Sequence, residues 1–153
     1  MKYPLIIILF LSILLMNCFS TKEKIVYEYN GIVITRIYKN AESYFYYGKH
    51  EINDLPNSYI KAEYAGFDGL MGALLLFEKN GNVKFIGCYG LFTTTGINSN
   101  SKLQLIEDHN VMQPLFDFEK LVKNKNVIYL SDVIQYEKKE NVKNHSNVNA
   151  TYE

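Results

Sequence analysis

Asn30-Gly31 stands between two runs of β-branched and aromatic residues, Ile25-Val26-Tyr27-Glu28-Tyr29 and Ile32-Val33-Ile34-Thr35-Arg36-Ile37-Tyr38, and no other feature narrows the fold so far. Asn followed by Gly accepts positive φ at both central positions of a type I′ turn, whose twist matches that of antiparallel strands. A hairpin over residues 25–38 is therefore predicted. The same grammar recurs where Leu74-Leu75-Leu76-Phe77-Glu78 and Val83-Lys84-Phe85-Ile86-Gly87-Cys88-Tyr89 are joined through Lys79-Asn80-Gly81-Asn82.

Further strands are predicted around these hairpins. Ser43 to Gly48 and Tyr59 to Tyr64 flank a loop marked by Asp54-Leu55-Pro56-Asn57; in the second, Ile60, Ala62 and Tyr64 alternate with Tyr59, Lys61 and Glu63, so one face is wet. Ile32 to Tyr38 and Leu70 to Phe77 are apolar on both parities, as in strands covered on both faces. Lys102 to Glu107, with Leu103 and Leu105 inward, and Val127 to Leu130 complete the set, while Thr93-Thr94-Thr95-Gly96 reads as a strand end and turn. The expected class is mainly β (α+β): a single antiparallel sheet of six or seven strands, curled or closed into a small barrel, with one or two short C-terminal helices. Leu115 to Val122, after Pro114, reads as one such helix. The other is capped by Ser131 or Asp132 and runs to about Glu140, with Tyr129 or Leu130, Val133, Ile134 and Tyr136 inward and Glu137-Lys138-Lys139-Glu140 outside. Residues 25–141 make one domain, and the polar, Asn-rich residues 142–153 read as a disordered tail.

The leader carries a separate message. Lys2 supplies a positive charge, and Leu5 to Met16 are apolar except for Ser12, the proportions of a signal peptide. That run is well short of the roughly 20 apolar residues that span a bilayer. Leu15-Met16-Asn17-Cys18 resembles the lipobox of bacterial lipoprotein precursors, with Leu three residues before the Cys. The resemblance covers the leader alone and implies a signal peptide of residues 1–17, acylation of Cys18 and a tether of residues 18–24. The alternative is ordinary cleavage after Ser20, giving a soluble periplasmic or secreted protein. A thioether-linked diacylglycerol with an amide-linked acyl chain such as palmitate would hold the protein on a membrane, since each buried methylene contributes about 0.8 kcal/mol.

Charge excludes one class of partner. Sixteen basic residues balance sixteen acidic ones, and Arg36 is the single arginine, which argues against nucleic acid as a ligand because phosphate affinity needs clustered cations. Catalytic and cofactor patterns are equally sparse. His50, His109 and His145 have no metal-ligand spacing. Glu107-Asp108-His109 is the best local cluster: in an extended chain Glu107 and His109 converge and Asp108 does not, so a small envelope hydrolase built on Glu107 and His109 is one alternative. Gly66-Phe67-Asp68-Gly69-Leu70-Met71-Gly72 has no following Lys and reads as a connection rather than a phosphate loop. Cys88, in an apolar strand, reads as a buried core residue. No metal site or cofactor is expected. Thirteen tyrosines are unusual, and Tyr44, Tyr46 and Tyr59 are the candidate binding residues, since Tyr joins a rigid contact area to a polar tip. The preferred expectation is a non-enzymatic, membrane-tethered binding or inhibitory module with an envelope protein as its partner; a barrel carrying a small apolar ligand is a further alternative.

Overall fold

The computed structural model describes residues 23–40, 42–63, 72–107 and 125–153. Cys18 and the rest of the leader, the Gly-rich stretch up to Met71, His109 and the helix expected over 115–122 lie outside them.

Ten strands and one helix are formed by the described residues: β1 (Glu23–Tyr29), β2 (Ile32–Lys39), β3 (Glu42–Tyr47), β4 (Tyr59–Glu63), β5 (Gly72–Phe77), β6 (Val83–Tyr89), β7 (Leu91–Thr95), β8 (Leu103–Glu107), β9 (Val127–Ser131), α1 (Ile134–Lys143) and β10 (Asn149–Tyr152). The first hairpin forms as predicted. Asn30 and Gly31 have φ of 50° and 77°, and Tyr29 pairs with Ile32 directly across the turn. β1 to β4 run as an antiparallel meander, extended by β10 beside β1 and by β7 beside β4, giving the order β10-β1-β2-β3-β4-β7.

A mainly β fold with one short C-terminal helix is what forms, but its strands divide between two sheets. The second has the order β8-β6-β5-β9, and its β6–β8 pair is parallel. A single antiparallel meander is broken because β6 and β7, joined through Gly90 alone, belong to different sheets. Among the described residues the sheets do not close into a barrel, and side chains fill the space between them. Ile25, Tyr27, Ile34, Phe45 and Ile60 from the first sheet meet Leu75, Phe77, Phe85 and Ile128 from the second, with the Phe45 and Phe85 rings edge-on at 4.8 Å. β2 and β5 are buried on both faces, β5 as its apolar run requires and β2 with Thr35 and Arg36 among its buried residues.

Three readings are corrected. Asn149–Tyr152 is a strand rather than part of a disordered tail: Ala150 and Tyr152 alternate inward against the core, Val148 is buried, and Glu153 exchanges both backbone hydrogen bonds with Lys24. The helix starts later than expected and keeps only part of its expected inward face: Leu130 is buried and Ile134 packs on the core. Val133 occupies its N-cap, Val133 and Tyr136 are exposed, and Glu137 and Glu140 are buried. Cys88 is half-buried beside Leu74, Val127 and Tyr129, outside the main core.

Candidate functional site

A cleft opens where the chain crosses from one sheet to the other. Gly87 on β6 has no Cβ because the Phe92 ring occupies that space: a Cβ there would lie 2.5 Å from the ring. Gly90, at φ of 131°, makes the corner. Phe92 is thereby laid against Phe85, with centroids 5.3 Å apart. Beyond it β7 and β8, the end strands of their respective sheets, flank a cleft of about 760 Å³. Its walls combine apolar Phe92, Ile97, Leu105 and Ile106 with neutral hydrogen-bonding groups from Thr93, Thr94, Asn98, Ser99 and Gln104, and Glu107 supplies a carboxylate. Such a site can grip a ligand by contact area and orient it by neutral hydrogen bonds.

The three candidate tyrosines do come together, on the outer face of the first sheet next to this cleft. Phe45 turns inward, so its neighbours Tyr44 and Tyr46 turn outward, and Tyr59 on the adjoining strand shares their face. Tyr44 and Tyr59 lie 5.4 Å apart and Tyr46 and Tyr59 5.8 Å apart, each pair edge-on or tilted. Tyr46 is buried, while Tyr44 and Tyr59 are half-buried. The Tyr44 hydroxyl donates to Glu42, and that bond with burial pushes its phenol up to about 12. Lys61 bridges Glu63 and Glu42, which raises the Lys61 ammonium, and the Tyr44 hydroxyl together with Lys61 lowers the Glu42 carboxyl. Across to β7, Lys61 pairs with Thr93 and Tyr59 with Thr95, so the tyrosine face runs directly into the wall of the cleft.

On the opposite flank of the sandwich the structure holds a buried polar cluster that the sequence does not announce. Arg36 points inward from β2 and is 1% exposed; Glu137 of α1 is fully buried. The Glu137 carboxylate accepts from Arg36 Nη1 at 3.0 Å, the Ser131 amide at 2.9 Å, Tyr27 at 3.0 Å and Tyr152 at 3.1 Å. Arg36 donates further to the Ser131 carbonyl at 2.9 Å and to Ser43 Oγ at 3.0 Å. This fastens α1 to both sheets. It also seals the outer edge of β9, because every second residue there is satisfied by a side chain. Ser146 donates to the Val127 carbonyl, Asn141 pairs with both the amide and the carbonyl of Tyr129, and Glu137 and Arg36 take those of Ser131.

Of the sequence candidates, then, Tyr44, Tyr46 and Tyr59 cluster, Glu107 stands in the cleft, and Cys18 and His109 fall outside the described residues. The cleft itself was missed by sequence reasoning, although Leu91-Phe92-Thr93-Thr94-Thr95 has the composition of a strand. Among the described residues no group of His, Cys, Asp and Glu is arranged to hold a metal ion, and no helix is long and apolar enough to cross a membrane. Comparison with protein-family models, with curated proteins and with solved structures finds no match.

Proposed function

We propose that this protein is a non-enzymatic binding module of the bacterial envelope, exported by its leader, held on a membrane through acylated Cys18, and presenting the β7 margin to its ligand. The observation that carries the reading is the cleft of about 760 Å³ between β7 and β8, whose described lining is apolar side chains and neutral hydroxyl and amide groups with Glu107 beside them, continuous with the tyrosine face. The leader supports the location, because an apolar run that stops just before Cys18 suits a lipid-anchored product.

Two measurements test the two halves. Fractionation of wild type and Cys18→Ala cells should find the first in the membrane fraction and the second released or unprocessed; a wild-type product of unmodified mass beginning at Thr21 would remove the anchor. Amide shifts of the isotope-labelled mature protein, titrated separately with solubilised envelope proteins and with envelope polysaccharide, should concentrate at 93–98 and 103–106. A second reading is favoured by the position of Glu107 in the cleft wall: a hydrolase in which Glu107 and His109 act together. Turnover of ester, peptide or glycoside reporters that disappears in Glu107→Gln would establish it in place of the first.

A further inference from the structure

We propose that the β7–β8 cleft takes an extended, uncharged polypeptide segment of a partner protein, which adds to the outer edge of β7 as a further strand. This rests on the binding-module reading and names its ligand class.

An edge strand turns half of its amide and carbonyl groups away from its sheet, and the partner that matches such a row at every second residue is another extended backbone. The molecule itself shows how an edge is closed when it is meant to be closed. On β9 the groups of Val127, Tyr129 and Ser131 are capped by Ser146, Asn141, Glu137 and Arg36. Among the described residues nothing plays that part along Leu91–Thr95 of β7. Nor does β7 carry the usual edge defences: it has no Lys, no Pro and no charge, and its Leu91 is 57% exposed. An edge that the described residues leave uncapped beside a cleft, on a molecule that seals another edge group by group, is an edge kept for pairing.

The cleft also selects the segment. Side chains of an added strand alternate, so one set enters the cleft against Phe92 and Leu105 while the other emerges beside Leu91, Thr93 and Thr95, the residues of β7 on its outer face. Among the described residues that line the cleft Glu107 alone carries a charge, and Phe92, Ile97, Leu105 and Ile106 are apolar, so the inward set is neutral and apolar. Pairing along the length of β7 needs about five residues, roughly 17 Å of extended chain.

The test is a random linear peptide library panned on the mature protein, followed by a backbone N-methyl scan of a selected peptide read by fluorescence anisotropy. Strand addition predicts a loss of about tenfold or more at alternate positions and little change between them, because only alternate amides face β7. Leu91→Lys, with its denaturant midpoint unchanged, should weaken the same peptide by a similar factor. A flat scan, or a peptide whose amide shifts fall away from 91–95, overturns the proposal. So does concentration-dependent self-association of the wild type that Leu91→Lys abolishes, which assigns the edge to a second copy of this chain. If no peptide is selected while envelope polysaccharide shifts the cleft amides, strand addition fails and the binding module stands; if neither ligand shifts them, both fail.

Discussion

Replacing Glu137 with Leu should destabilise the protein more than any other single substitution in the helix. The carboxylate accepts four hydrogen bonds, and the loss leaves Arg36, 1% exposed, as a buried cation without its counter-charge. Breaking a buried pair on one side costs about 3–5 kcal/mol, and phenols of Tyr27 and Tyr152 left without an acceptor add about 1 kcal/mol or more each. Against a total stability of about 5–15 kcal/mol the variant is expected near the limit of folding. Urea denaturation at neutral pH reads this directly, as a midpoint lowered by about 2 M or more for a slope of about 1–3 kcal/mol per M. The double variant Arg36→Met, Glu137→Leu removes both charges and should recover a large part of the loss, though not the part due to the two phenols. The pH dependence has a definite sign. Burial pushes the Glu137 carboxyl above its ordinary 4.5, opposed by Arg36, so the folded state holds that proton more tightly than the unfolded chain does. Its contribution is greatest below that ordinary value and declines as pH rises from there to the folded value, a slope that Glu137→Gln should abolish. A Glu137→Leu midpoint within experimental error of wild type, or a double variant no more stable than the single one, would refute the idea that this pair fastens α1 to the sheets.

Gly31→Val should cost about 1–2 kcal/mol by denaturant midpoint, because φ of 77° strains a β-branched residue although the surrounding space is empty. Gly87→Ala should displace the Phe92 ring, which a Cβ would approach to 2.5 Å, and cost about 1–3 kcal/mol; adding Phe92→Ala should relieve that clash, and a strictly additive double variant would contradict it. Tyr44→Phe should remove a phenol that titrates near 12 from the ultraviolet phenolate curve, leaving the rest of the curve in place.

The β character of the chain and its first hairpin are legible in the amino-acid order, because both are local. The φ demands of Asn30-Gly31 and the composition of the runs beside it act within a few residues, and they set the observed register of β1 and β2. Alternation likewise put Tyr44 and Tyr46 on one face of β3, since side-chain direction along a strand follows from counting, while the pairing of β4 with β3 brought Tyr59 to the same face. The tertiary structure decided what depends on residues far apart in the chain. Glu137 reads as solvated among its charged neighbours Lys138, Lys139 and Glu140, yet it is drawn inward by Arg36, a partner 101 residues away that pattern cannot reveal. β10 reads as tail on composition, and becomes a strand because the open edge of β1 and the Glu137 carboxylate give its backbone and Tyr152 their partners. The cleft belongs wholly to this second class. Its two walls lie on strands of different sheets, so it exists only once the turn at Gly90 has carried β7 across and β8 has paired in parallel with β6.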